Sequence, residues 1–195
     1  IFKECFVLPS AERGLLGDTA SLAVSGDGMV LETGASPMGT RDCDCRQNGI
    51  FNCDCPRRFS DPTANWGWDS YRGRFVYGYS NYTFTAADSP YDLPVYSVLT
   101  QAARHDSVSH TSALFGMINL YPEFNFGKDI LDSAHDNYAT YDLLDHWNIE
   151  PFIDLNKKNK GNFKYDPPLA VNENGIPICK GGFLMANWGY ISDSC

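Results

Sequence analysis

Two short runs, far apart in the chain, constrain the fold most. Leu22-Ala-Val-Ser-Gly-Asp27-Gly28 and Lys128-Asp-Ile-Leu-Asp132-Ser133 each read as an apolar strand ending on an aspartate and a turn-former. Two carboxylates delivered by two strand ends suit a hard divalent cation, which takes oxygen ligands and shares them with substrate phosphate. On the residues alone a plainer reading stands beside this one, in which each aspartate caps the turn or helix after its strand.

The segments between them supply a sheet and helices. Arg74 to Phe84 alternates Phe75, Tyr77 and Tyr79 with Val76, Gly78 and Ser80, the period of a strand. Leu93 to Leu99 follows as another strand after the Asp88-Ser-Pro-Tyr-Asp92 turn. Ser107 to Leu120 carries Leu114, Met117, Ile118 and Tyr121 at helical spacing, and Pro122 stops it. Asn137 to Trp147 reads as a second helix, with Asp136 as its N-cap and Tyr138, Tyr141, Leu143 and Leu144 on one face. Ile149 to Leu155 reads as a last strand. Residues 1 to 20 read as a lead-in or one short helix. Residues 29 to 70 read as an irregular, Cys-rich insertion, too punctuated by Gly, Pro and Asp for core strands.

The chain has 195 residues, which suits one domain carrying an insertion, and 43% apolar residues are enough for a core. No apolar stretch approaches membrane-spanning length. Fifteen Lys and Arg against 24 Asp and Glu give a net charge of −9, which argues against this chain alone gripping DNA. Two features soften that: bound cations offset site carboxylates, and the basic residues cluster at Arg57, Arg58, Arg72 and Arg74 and again at Lys157, Lys158, Lys160 and Lys164. The plainer reading of the lysine run is a solvated loop with Gly161.

Cys43, Cys45, Cys53 and Cys55 form Cys-x-Cys twice, with Asn48-Gly49 between as a hairpin signal. A hairpin there brings four thiolates to one end, the set that takes Zn²⁺ tetrahedrally. Free thiols and disulfides remain the alternatives, although an odd total of seven cysteines disfavours full pairing.

Six phrases in order carry a resemblance: Ser25-Gly-Asp-Gly28; Asp61-Pro-Thr-Ala-Asn-Trp-Gly-Trp-Asp-Ser70; Tyr71-Arg-Gly-Arg-Phe-Val-Tyr-Gly-Tyr79; Ala103-Arg-His-Asp-Ser107; Leu131-Asp-Ser-Ala-His-Asp-Asn137; and Ile149-Glu-Pro-Phe-Ile-Asp-Leu-Asn156. Together they resemble the catalytic core of bacterial DDE-type insertion-sequence transposases, a branch of the RNase H-like, retroviral integrase-like superfamily. The resemblance implies an α/β fold: a mixed five-stranded sheet flanked by helices, with the zinc-ribbon-like insertion after the first strand. It implies that Asp27 and Asp132 are the first two catalytic carboxylates and lie side by side, holding two Mg²⁺ or Mn²⁺. The third acid is expected downstream of an excised fragment, Glu173 being a poor match. It further implies DNA transposition, with transposon ends and target DNA as partners, a homo-oligomeric synaptic complex, no membrane, and a bacterial cytoplasmic, nucleoid-associated setting.

Other residues carry weaker expectations. His105, Asp106 and His135 read as auxiliaries beside the carboxylates or the DNA, with helix capping and a satisfied buried His as the plainer alternatives. Arg72, Arg74, Arg104, Lys157 and Lys158 are candidate DNA contacts. Trp66, Trp68, Tyr71 and Trp188 are expected to anchor the insertion to a core, with base stacking the alternative. Three other functions remain: an RNase H-like nuclease that cuts without joining, a non-catalytic zinc-stabilised DNA-binding or assembly module, and a secreted module stapled by disulfides.

Overall fold

The computed structural model describes residues 1–156 and 168–185, which fall into two compact units, Ile1–Asn156 and the described part of Lys157–Cys195. In the first, a helical segment at Lys3–Val7 runs into α1 (Leu8–Glu12). Then come β1 (Leu22–Glu32), β2 (Thr40–Arg41), β3 (Arg57–Arg58), β4 (Asn65–Asp69), β5 (Arg74–Ala86) and β6 (Pro94–Gln101). They are followed by α2 (Asp106–Leu120), β7 (Phe126–Leu131), α3 (Tyr138–His146) and β8 (Glu150–Ile153).

β5 is the longest strand and organises the sheet. β1 pairs antiparallel along one of its edges, while β6 and then β4 pair antiparallel along the other. On its far side β1 pairs in parallel with β7, and β7 in parallel with β8, giving the order β4-β5-β1-β7-β8 with β6 also on β5. The sheet is mixed, as expected, but has six strands rather than five.

The sixth strand comes from the segment expected to be irregular. Asn65–Asp69 joins the sheet because Gly67 has no side chain: a Cβ there would run into the backbone of Ala102. At the other end of that segment β1 continues past Gly28 to Glu32, since residues 27–32 find partners at 78–83 of β5. The irregular stretch is therefore 33–64.

Strand period decides the faces. Tyr82, Phe84 and Ala86 of β5 and Val24 of β1 are buried in one core with Leu114 and Met117 of α2 and with Tyr121. Burying a side chain such as Phe84, Leu114 or Met117 contributes about 1.5–3 kcal/mol. α3 packs against α2 and β8. Its buried residues are Thr140 and Leu144, while Tyr138 is largely exposed, and its N-cap is Asn137, whose Oδ1 accepts the Thr140 N–H, rather than Asp136. The opposite sheet face carries exposed Met29, Leu31, Phe75 and Leu99, so the expectation of helices on both faces is met on one, among the described residues.

The second unit contains a small hairpin of β9 (Ala170–Val171) and β10 (Pro177–Ile178). Its Asn172–Gly175 turn, closed by the Asn172 side chain, carries Glu173. Lys157, Lys158, Lys160, Lys164, Trp188 and Cys195 lie outside the described residues.

Candidate functional site

The parallel register Ser25 with Ile130 carries β1 and β7 forward side by side, so Asp27, within β1, lies level with Asp132, just past the end of β7. Both line one cleft of about 1150 Å³. A third carboxylate, Asp106, lines it as well. Asp106 is the first residue of α2, and a Cβ at Gly28 would collide with its carboxylate. Glycine at 28 is thus what lets the start of α2 close on the strand that carries Asp27.

Burial holds the Asp106 carboxyl above the usual carboxylate range, and the charges of Asp27 and Asp132 push it further up. The three side chains offer carboxylate oxygens, the donor type that hard divalent cations take. The carboxylate oxygens are not drawn into a closed cage: among the described residues, the set whose ligand atoms all lie within 4.8 Å of one another is the four cysteines.

His105 lines the cleft and proves to be the N-cap of α2, its Nδ1 accepting the Ser107 N–H. His135 is fully buried behind Asp132, with Nδ1 2.7 Å from Asp132 Oδ1 and Nε2 3.0 Å from the Tyr82 hydroxyl. Next to it lies a pair that sequence reasoning missed. His110 Nε2 is 2.7 Å from Asp129 Oδ2, and both side chains are fully buried. Only alternation along β7 could have flagged Asp129, because it shares the buried face with Leu131.

The aromatic residues expected as core anchors are exposed instead: Trp66 46%, Trp68 54% and Tyr71 98%. They line the carboxylate cleft with Phe75, Arg72 and Arg104. The strand pairing explains this, since Trp66 and Trp68 alternate with buried Gly67 and Asp69 and point away from α2. Of the candidate DNA contacts, Arg72 is 3.3 Å from Asp69 and Arg74 is 2.7 Å from Glu32, so both already carry acidic partners. Arg104 makes no ion pair among the described residues and reaches both the cleft and a smaller cavity lined by Thr63 and Tyr79.

The four cysteines come together as the sequence suggests, by a different route. No strand ladder runs through them: β2 and β3 pair just outside, and a tight turn over Asp44–Gly49 reverses the chain, with Gly49 at φ +75°. Cys43 Sγ lies 3.6 Å from Cys53 Sγ and Cys45 Sγ 3.6 Å from Cys55 Sγ. A tetrahedral zinc with bonds of about 2.3 Å sets sulfur separations near 3.8 Å, so the spacing suits a metal such as zinc. All four are free thiols in this structure. Hydrogen bonding within the cluster, first to Cys55, pushes the Cys45 thiol up to about 12; the Cys55 backbone N–H draws the Cys53 thiol down.

Searches of protein-family models, curated proteins and solved structures find no match for this chain. Among the described residues no helix is long and apolar enough to cross a membrane.

Proposed function

We propose that the chain is an RNase H-like catalytic core of a DDE-type transposase, acting on DNA phosphodiesters with Mg²⁺ or Mn²⁺. The observation that carries this reading is that Asp27 and Asp132, far apart in sequence, line one cleft on adjacent parallel strands, Asp27 within β1 and Asp132 just past the end of β7. The succession β1, β5, β6, α2, β7, α3 and β8, with β1 and β7 as sheet neighbours, supports the reading.

Asp27 and Asp132 would hold the metal, and Asp106 joins them as a third carboxylate supplied from within the chain. A divalent cation held there would supply activation of water or a DNA 3′-OH and charge neutralisation at the leaving oxygen of an in-line displacement. The protein's own contribution is placement: β1 and β7 bring Asp27 and Asp132 to one cleft, and Gly28 admits the third carboxylate. Arg104 and the exposed Trp66 and Trp68 supply a cation and aromatic faces to DNA at the cleft edge. The four thiolates would hold a structural zinc that closes the 33–64 segment.

Calorimetry with Mn²⁺ tests the assignment. Wild type binds, and Asp27→Asn and Asp132→Asn each lose binding, together with metal-dependent nicking of supercoiled DNA. Absence of Mn²⁺ binding in folded wild type, or nicking retained by Asp27→Asn, overturns it. Because Asp106 completes an acid set without any downstream residue, a hydrolytic nuclease of the same fold is the second reading. Strand-transfer products made by the intact protein separate the two.

A further inference from the structure

We propose that Tyr82 and His135 are positioning residues for Asp132: a buried Tyr82–His135–Asp132 chain fixes one carboxylate oxygen and turns the other toward a divalent cation in the cleft. This rests on the metal-binding reading of that cleft.

The directions of the hydrogen bonds follow from the surroundings. Tyr82 is fully buried, and that burial, with the charges of Asp129, Asp106, Asp27 and Asp132 around it, drives its phenol far above the ordinary range. The phenol therefore keeps its proton; His135 Nδ1 faces a carboxylate oxygen, which accepts, and Nε2, 3.0 Å from the phenol, is left to accept the phenol proton. With Nε2 accepting, the imidazole proton sits on Nδ1, which donates to Asp132 Oδ1 at 2.7 Å. The same Oδ1 accepts the Ala134 N–H at 3.0 Å. Oδ1 thus takes two hydrogen bonds, whereas Oδ2 takes none among the described residues. The Asp132 side chain is 60% exposed, although the ring holding it is buried.

Two further features serve this chain. Gly26 leaves room for it: a Cβ there would collide with the Tyr82 hydroxyl and the Phe84 ring, so only glycine lets the phenol pass beneath β1 to reach His135. The His110 ring stands edge-on to the His135 ring with centroids 5.3 Å apart, and Asp129 anchors His110 in turn. Capping the short turn after β7 needs only the Ala134 N–H on Asp132. A cap alone gives no reason to bury a tyrosine and a histidine in series behind it. Such a series is what a metal ligand needs, because hydrogen bonds to a ligating group set its orientation, and their loss typically weakens metal binding about 10–100-fold.

The test is Mn²⁺ titration calorimetry on the full chain, with metal-free melting curves alongside. Tyr82→Phe removes one hydroxyl and is expected to weaken Mn²⁺ binding by about tenfold or more. His135→Leu is expected to weaken it at least as far, and His135→Asn, whose amide N–H can replace the Nδ1 donor, to recover most of the loss. Tyr82→Phe binding Mn²⁺ as tightly as wild type overturns the proposal while the cleft assignment stands. Equal Mn²⁺ affinities for His135→Leu and His135→Asn overturn it in the same way. A wild type that binds no Mn²⁺, or binds it undiminished after Asp132→Asn, removes the cleft assignment and this inference together. If His135→Leu does not fold, Tyr82→Phe decides alone.

Discussion

Removing the His110 side chain should expose how much of this core rests on one buried pair. His110 and Asp129 have no solvent access, and each has one polar atom, Nδ1 and Oδ1, with no hydrogen-bond partner. The 2.7 Å Nε2–Oδ2 contact is thus the hydrogen bond available to either side chain among the described residues. His110→Ala leaves the Asp129 carboxylate buried without a partner, which costs about 3–5 kcal/mol. At about 2–4 °C per kcal/mol for a domain of this size, the melting temperature should fall by roughly 6–20 °C. Urea denaturation followed by circular dichroism measures the loss. The same substitution in an Asp129→Asn background should cost about 1–3 kcal/mol less, because no charge is stranded. Replacing both residues by apolar ones, His110→Leu with Asp129→Val, should recover most of the stability. A loss below about 1 kcal/mol for His110→Ala, or equal losses in the two backgrounds, would refute the reasoning from stranded charge.

Chelation should lower the melting temperature of the zinc-loaded chain, because the binding energy of a structural metal is folding energy; an unchanged melt removes the metal from Cys43, Cys45, Cys53 and Cys55. The raised Asp106 carboxyl predicts a pH effect of definite sign: with folded pKa above the ordinary 3.8, stability is full below that value and declines as pH rises through the folded one. In metal-free buffer Asp106→Asn should therefore melt higher than wild type at neutral pH, with the gap closing toward pH 4; a gap independent of pH would assign the difference to packing. Trp68→Ala should weaken binding of single-stranded oligonucleotides by about 1–3 kcal/mol without changing the melt, and undiminished binding would take the aromatic wall out of the DNA contact.

Much of the strand and helix order was legible because it is written in period and punctuation. The alternation over 74–84 and the helical spacing of Leu114, Met117 and Tyr121 needed no tertiary knowledge. Strand ends were harder to read. Gly26-Asp27-Gly28 looks like a turn, yet β1 runs through it because β5 offers partners as far as Glu32. Trp66-Gly-Trp68 hides a strand in a polar stretch because the neighbour that makes Gly67 useful, Ala102, is distant in sequence. Asp106 was legible only as an auxiliary beside the carboxylates or as a helix cap; its approach to Gly28 is brought about by the fold. A fully buried carboxylate such as Asp129 has no local signature, since the His110 that tolerates it lies on another element.

Gly26, Asp27 and Gly28 also bear on how this chain can drift. The two glycines are pinned by different neighbours, Gly26 by Tyr82 and Phe84 and Gly28 by Asp106. Any replacement at 26 would have to arrive with a smaller residue at 82, and any at 28 with a retreat of Asp106. Among descendants of this sequence the tripeptide should therefore be frozen for three separate reasons. Where it does change, a compensating substitution should be found far along the chain, at a position that a pairwise survey of substitutions would link to it.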